Sequence, residues 1–337
     1  MNRFRIVQKR ADKRKPDENP CREIPAVLLF VFLLPYVISC LWGHIGEDAA
    51  VFFRTEEDEK KWIDERYEVA LSGNWGKKRM TMQEYLVRKL EMVMPAEEEG
   101  GISCELEALK AQAVLLRTEL WGLFLSQEEP GGAPLVLEEE PFSYRKDEAE
   151  TEDLYRKAVL ETDGIFLSYA GEPVKAAFFP VSNGQTRSAA EALQSGNYPY
   201  LAGVVCKQDI TAADYQSQTV LSKEEYCALA APLFAADGAK EALWEGLEFC
   251  YDSAGYVTEV IFQGKGCNGE SFRYALGLPS ASFYADWEEN EVIFHVKGVG
   301  HGFGMSQYDA GRRAVEGETF DNILMNYFFQ TELVKIE

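Results

Sequence analysis

Histidine is scarce in this sequence, and closely spaced cysteine pairs are missing. The 337 residues include three histidines, His44, His295 and His301, and seven cysteines that form no Cys-X-X-Cys pair. A structural zinc site needs about four such ligands at close spacing. The sequence therefore predicts no metal site, and no motif in it indicates a cofactor. Cys250 and Cys267 flank a strand-rich stretch, where they would form either a disulfide or two free thiols.

Positive charge is also in short supply. The chain has 34 Lys and Arg against 56 Asp and Glu, which gives a formal net charge of −22. Residues 1–23 hold eight of the basic residues and only four acidic ones, so the rest of the chain is still more acidic. An acidic domain repels phosphate, and this composition argues against nucleic acid as a partner.

The basic tail precedes a long uncharged run at residues 24–43, IPAVLLFVFLLPYVISCLWG. About 20 apolar residues span a bilayer core. Since the positive charges lie before the run, we expect residues 1–23 in the cytoplasm and the remainder outside. A cleaved signal peptide and a lipoprotein modified at Cys40 are the alternatives, and both also deliver the domain outside the membrane. An acidic linker is expected at 44–64 and a folded domain at 65–337.

The pattern of the domain predicts a mixed α+β fold without repeats. Residues 81–84, TMQE, have the pattern of a helix start. At 106–124, apolar residues recur at helical spacing on one face, while Glu107, Lys110 and Thr118 lie on another. Residues 164–169 and 174–179 suggest a hairpin, 221–235 and 322–327 suggest helices, and 247–251, 257–262 and 291–296 suggest strands.

The most unusual segment is residues 298–307, GVGHGFGMSQ, in which four glycines alternate around His301. Glycine permits positive φ and close backbone approach. A predicted strand leads into this segment and a predicted helix leads out of it. The segment is not a phosphate-binding Walker loop, because no Gly-Lys-Ser/Thr follows.

Here the sequence resembles the stage II sporulation protein D family, also called the LytB amidase-enhancer family. GVGHGFGMSQYDA is similar to the family signature GWGHGVGMSQWGA. Three further blocks match in order: EALKAQAVLLRT at 107–118, FFPVSNGQTRSA at 178–189 and FRYALGLPSASF at 272–283. The resemblance runs from about residue 65 to the C-terminus.

This resemblance implies a role in peptidoglycan remodelling during engulfment, as a lytic transglycosylase that cleaves glycan strands freed of peptide stems. One carboxyl group suffices for that reaction: it protonates the glycosidic oxygen and then removes the proton from the muramic C6 hydroxyl, which closes on C1. The resemblance also implies the stage II sporulation proteins P and M as partners.

One position departs from the family pattern. The glutamate of the family's Glu-Met-Pro triplet, its expected catalytic acid, falls on Val93 here. Glu91 or Glu107 would have to replace it, or the protein is a catalytically inactive homologue that binds glycan and supports other wall hydrolases. Glu91 lies about 200° from Val93 around a helix. Two motif loops are expected to share one groove with Glu107, and the candidate substrate-binding residues are Lys110, Arg117, Ser182, Gln185, Thr186, His301, Ser306 and Gln307.

Overall fold

The computed structural model describes residues 62–73, 76–95, 105–127, 133–139, 149–234, 243–244 and 246–336. Helices and strands are interspersed along this part of the chain, which fits the predicted α+β class. The described helices are α1 (Met82–Val93), α2 (Leu106–Leu125), α3 (Ala149–Glu161), α4 (Ala189–Ala192), α5 (Lys223–Phe234), α6 (Gly269–Ala275), α7 (Gln307–Val315) and α8 (Phe320–Tyr327).

The strands are short and form several small sheets. Their bounds are β1 (Glu68–Gly73), β2 (Gly76–Thr81), β3 (Leu135–Leu137), β4 (Ile165–Tyr169), β5 (Glu172–Pro173), β6 (Phe178–Phe179), β7 (Gln216–Ser222), β8 (Leu247–Tyr251), β9 (Val257–Phe262), β10 (Lys265–Asn268), β11 (Phe283–Trp287), β12 (Glu291–Lys297), β13 (Met305–Ser306) and β14 (Glu332–Lys335). The strand orders are β2-β1-β3, β14-β4-β5, β10-β9-β8, β11-β12-β7 and β13-β6.

Helix α2 lies between two apolar clusters. Leu109 and Leu116 belong to a cluster with α1, α3 and the β1–β2 hairpin, whereas Val114 and Leu115 pack with α8 and β4. The face predicted to offer a hydroxyl is therefore buried. The Thr118 hydroxyl donates to the Val114 carbonyl at 2.6 Å and accepts from the Leu167 amide at 2.9 Å. Because both faces are covered, α2 forms the central support of this half of the domain.

The predicted start of α1 is confirmed. Thr81 is extended, and its hydroxyl accepts a hydrogen bond from the Glu84 amide at 3.2 Å. This satisfies one of the backbone donors that a helix leaves free in its first turn. The strands β8, β9 and β12 and the helices α5 and α8 also lie at or close to their predicted positions.

The predicted hairpin at 164–179 is only partly correct. Strands β4 and β5 do pair, but β5 has two residues and the chain then leaves the sheet. Phe178 and Phe179 form β6, which pairs in parallel with β13. Apolar alternation could not reveal this, because the partner strand lies more than 120 residues further along the chain.

A second apolar core lies among α5, α6 and the sheets β10-β9-β8 and β11-β12-β7. Cys250 and Cys267 flank its strand β9 and are free thiols. Cys250 is opposite Glu259, whereas Cys267 is opposite Val260. Adjacent strand residues point to opposite faces, so the two thiols lie on different sides of the sheet and cannot form the disulfide considered above.

The predicted transmembrane run at 24–43, the basic tail and most of the acidic linker lie outside the described residues. Within the described part, no helix has both the length and the apolar character required to cross a bilayer. The first described turn, Ile63–Arg66, is already part of the folded domain, because Asp64 is fully buried.

Candidate functional site

Two motif loops, at residues 178–189 and 298–307, are joined by backbone hydrogen bonds. Val181 and Val299 exchange amide–carbonyl bonds of 3.2 and 2.7 Å, and the Arg187 amide donates to the Gly302 carbonyl at 2.8 Å. The loops also meet through the β6–β13 pair. Segments more than 110 residues apart in the sequence thus form one rigid unit.

The alternating glycines make this close approach possible. Gly298, Gly300, Gly302 and Gly304 all have positive φ, between 73° and 107°. A Cβ on Gly304 would lie 2.0 Å from the Ala177 carbonyl oxygen, and one on Gly298 would lie 2.5 Å from the Val181 carbonyl oxygen. Both the dihedral angle and the available space therefore require glycine.

A buried carboxylate fastens the two loops to each other. Asp209 accepts from the Ser182 amide at 2.8 Å with one oxygen and from the Ser306 hydroxyl at 2.9 Å with the other. Burial raises the pKa of Asp209 to about 6, an effect that the hydrogen bonds from Ser182 and Ser306 oppose. No sequence motif marks Asp209, because it lies in a short 3-10 turn, Lys207–Thr211.

The end of α1, where the family glutamate would lie, is held by side chains from other helices. The Gln307 amide nitrogen donates to the Val93 carbonyl at 3.0 Å, and the Tyr155 hydroxyl donates to the Met94 carbonyl at 2.6 Å. Carbonyls in the last turn of a helix have no partner within the helix, so these side chains satisfy them. Val93 itself is half-buried and packs against the core around α1.

Gln307 also connects Val93 to α2. Its amide nitrogen donates to the Gln112 side-chain oxygen at 3.1 Å. Since a carbonyl must face a donor, the Val93 carbonyl sets the orientation of the Gln307 amide, which in turn sets that of Gln112. The Gln112 amide nitrogen is then buried without an acceptor. Residues from three family blocks thus converge at Val93.

His301 is half-buried between aromatic rings. Its ring centroid lies 5.6 Å from that of Phe179 and 6.0 Å from that of Phe303. Burial, together with the nearby positive charges of Arg273 and Arg187, lowers the pKa of His301 to about 4, an effect that a backbone hydrogen bond to Phe178 opposes. The ring is therefore neutral at pH 7. Its Nδ1 accepts from the Phe303 amide at 3.1 Å, which leaves the proton on Nε2 as a donor.

The remaining predicted loop residues differ in access. The side chains of Ser182, Thr186, Ser306 and Gln307 are buried, and their polar atoms bond within the protein. They hold the loops in place and do not present free groups to a ligand. Gln185 is half-buried and lines a cavity, so together with His301 it is one of the two loop candidates with access to solvent.

The contacts of Glu107 lie outside the motif loops. Glu107 pairs with Lys110 at 2.7 Å and accepts from the Phe320 amide at 2.8 Å, and Lys110 also pairs with Glu161 at 2.5 Å. On α2, Glu107 and Gln112 are five residues apart, so they project about 140° from each other. These contacts do not join Glu107 or Lys110 to either loop, and the single groove expected for them stays a prediction.

Glu91 and Arg117 have partners of their own. Glu91 forms a partly exposed ion pair with Arg88 at 3.7 Å. Arg117 is fully buried and pairs with Asp64 at 2.6 Å, and it also donates to the carbonyls of Ile165 and Val159. An arginine without solvent access cannot contact a glycan, so the prediction of Arg117 as a substrate contact is corrected to a structural role.

A second buried cation, Arg187, was not singled out in the sequence. Its Nε donates to Asp252 at 2.6 Å, and its guanidinium lies 4.7 Å from the Phe303 ring centroid and 5.1 Å from that of Tyr256. Arg187 links the first motif loop to the turn between β8 and β9. No group of three or more potential ligands is arranged to hold a metal ion in the described residues.

Known proteins resemble this chain over most of its length. The model of a stage II sporulation protein family, SpoIID, matches residues 75–169. Stage II sporulation protein D of Bacillus subtilis is 30% identical over 280 residues, which cover 78% of this chain and 77% of that protein. This chain belongs to the stage II sporulation protein D family. The protein of the same name from Bacillus amyloliquefaciens is 30% identical over 275 residues, 76% of this chain and 75% of the relative. Membership of this family implies a sporulation-related function.

Proposed function

We propose that this protein binds peptidoglycan glycan strands that have lost their peptide stems, and that it does so during engulfment without cleaving them efficiently. The observation that carries the proposal is the environment of Val93. Gln112 and Gln307 converge there, but the side chain at this position is an isopropyl group. A valine cannot protonate a glycosidic oxygen.

The two candidates to replace the missing acid, Glu107 and Glu91, form contacts with other residues. Glu107 accepts the Phe320 amide and pairs with Lys110, and Glu91 pairs with Arg88 on a different face of α1. Removing a positioned general acid typically costs about 10²–10⁴-fold in rate. The family resemblance therefore supports the substrate class, whereas the absence of an acid at position 93 favours binding over turnover.

The setting follows from the same resemblance. The protein would be anchored by residues 24–43 with its acidic domain outside the cytoplasm, where it would support other wall hydrolases. The stage II sporulation proteins P and M are the partners to test first. Lytic transglycosylase activity is the alternative, and the retention of the Gln112, His301 and Gln307 motif positions favours it.

The decisive experiment compares the wild type with Val93→Glu and Val93→Gln in the full-length chain purified in mild detergent. Stem-free glycan is supplied, and both bound glycan and 1,6-anhydro ends are measured. We expect the wild type and Val93→Gln to bind without producing anhydro ends, while Val93→Glu produces them. Failure of the wild type to bind stem-free glycan would refute the proposal.

The same assay tests the alternative through the native carboxylates. Rapid cleavage by the wild type that is abolished in Glu107→Gln would assign the acid role to Glu107. Rapid cleavage that survives both Glu107→Gln and Glu91→Gln would mean that neither residue is the acid and that binding without turnover is wrong. Glu119→Gln is the control, because Glu119 forms an exposed pair with Lys175 on the far end of α2.

A further inference from the structure

A groove separate from Val93 lies on the outer face of the β11-β12-β7 sheet and ends at the first motif loop. Two adjoining cavities of about 530 and 370 Å³ share Tyr284, His295 and Lys297 as lining residues. The larger cavity extends to Asn183, Gly184 and Gln185, and the smaller one to Gln216 and Gln218. We call this surface the sheet groove.

The alternation of β12 separates this groove from the core. Val292, Phe294 and Val296 are buried in the second apolar core, while His295 and Lys297 face the opposite side. The paired residues of the neighbouring strands follow the same rule, with Tyr284 and Gln218 directly opposite His295. The sheet thus places aromatic and polar side chains in one row across three strands.

Tyr284 forms a fixed aromatic platform in this row. Its ring stacks on His295 with centroids 4.6 Å apart and an interplanar angle of 7°, yet Tyr284 is 52% exposed. The Gln218 amide nitrogen lies 3.2 Å from His295 Nδ1, and an Asp286 oxygen lies 2.9 Å from Nε2 without the geometry of a hydrogen bond. One face of Tyr284 is therefore covered by His295, and the other is free for a ligand.

Groups that recognise polar ligands surround the platform. The side chains of Lys297, Gln185 and Gln216 have no hydrogen-bond or ion-pair partner among the described residues. Tyr251, 49% exposed, forms a further wall, and its hydroxyl donates to the Phe283 carbonyl at 3.3 Å. Aromatic surface combined with a few convergent polar groups is the usual composition of a small-molecule site.

We propose that the sheet groove is a second glycan-binding site, specific for N-acetylmuramic acid whose lactyl carboxylate is free. This inference rests on the proposed function for the substrate class and adds its location and selectivity. The C–H bonds on one face of a pyranose suit the electron-rich face of Tyr284. Gln185 and Gln216 suit hydroxyl and acetamido groups, and Lys297 suits the carboxylate.

The chemistry of stem removal explains the selectivity. In intact peptidoglycan the lactyl group is joined to the peptide through an amide, which is neutral. Hydrolysis of that amide leaves one carboxylate on every muramic acid residue. An unpaired lysine at the edge of an aromatic platform, in a domain that is otherwise strongly acidic, would distinguish the two forms by charge.

The test measures binding of three labelled probes to full-length protein in mild detergent: stem-free glycan strands, peptide-bearing strands, and chitin oligosaccharides that carry no carboxylate. The variants are Tyr284→Ala and Lys297→Gln. Their matched controls are Tyr274→Ala and Lys207→Gln, at an exposed tyrosine and an exposed lysine that do not line the groove. Circular dichroism confirms that each variant is folded.

We expect Tyr284→Ala to weaken binding of both stem-free glycan and chitin oligosaccharides about tenfold. Lys297→Gln should weaken only stem-free glycan, by about five- to tenfold at low salt, and remove the preference over peptide-bearing strands. If the wild type binds but both variants bind equally well, the sheet groove proposal fails while the proposed function stands. If Lys297→Gln weakens the binding of all three probes equally, Lys297 does not recognise the carboxylate.

Discussion

The Gln307 amide donates to the Val93 carbonyl across 3.0 Å, although 214 residues separate the two in the chain. This bond joins the N-terminus of α7 to the C-terminus of α1. It places the second motif loop directly beside the position where relatives are expected to carry their acid. Catalysis in this family would therefore depend on the relative position of two distant segments, and the same amide also sets the orientation of Gln112.

Gln307→Leu should destabilise the domain more than Gln112→Leu. The first change leaves the Val93 carbonyl and the Gln112 oxygen without a donor, which we expect to cost about 1–3 kcal/mol in the free energy of unfolding. The second also removes the unpartnered Gln112 nitrogen and should cost about 1 kcal/mol or less. Urea denaturation of the two single variants and of the double variant measures these losses in unfolding free energy. If the loss in the double variant equals the sum of the two single losses, the two glutamines do not share a network.

Asp209 and His301 should give stability opposite dependences on pH. With its pKa raised to about 6, Asp209 keeps a proton in the folded state that the unfolded chain loses near pH 4, so its contribution falls as pH rises through this window. With its pKa lowered to about 4, His301 is deprotonated in the folded state while the unfolded chain still holds the proton. Its contribution therefore rises between about pH 4 and 6.5.

Unfolding free energies of Asp209→Asn and His301→Gln relative to the wild type separate the two effects. The unfolding free energy of Asp209→Asn minus that of the wild type should become more positive as pH rises from 4 to 6, by up to about 3 kcal/mol. The difference for His301→Gln should become more negative over the same range. Parallel changes in the two variants would exclude the proposed protonation states.

Local pattern predicted the elements whose apolar residues recur at short range. Helix α2 was recognisable from its spacing, and the start of α1 from Thr81 and Glu84. The pattern could not reveal β6 and β13, because two-residue strands have no period. The motif resemblance located both loops, but it could not tell buried Ser182 from accessible Gln185, since burial depends on Asp209 and on neighbours distant in sequence.

The ion pair of Arg117 with Asp64 should be a major structural element. Breaking a buried pair leaves an uncompensated charge, so Arg117→Met should cost about 3–5 kcal/mol. The pair of Lys175 with Glu119 has a similar length of 2.9 Å, but both side chains are exposed, and Lys175→Met should cost about 1 kcal/mol or less. Equal melting temperatures for the two variants would contradict this assignment.

Gly304→Ala should disrupt the domain far more than Gly317→Ala, although both glycines have positive φ, 75° and 91°. An added Cβ at 304 would meet the Ala177 carbonyl oxygen at 2.0 Å, whereas nothing lies within 4 Å of one at 317. Only the backbone penalty of about 1–2 kcal/mol applies at 317. At 304 the clash must part β6 from β13, which would also displace Gln307 from Val93. Thermal unfolding should therefore show a shift of a few degrees for Gly317→Ala and a much larger one for Gly304→Ala. Glycan binding should survive in Gly317→Ala and be lost in Gly304→Ala. Equal shifts in melting temperature and equal glycan binding in the two variants would mean that the motif loops tolerate separation.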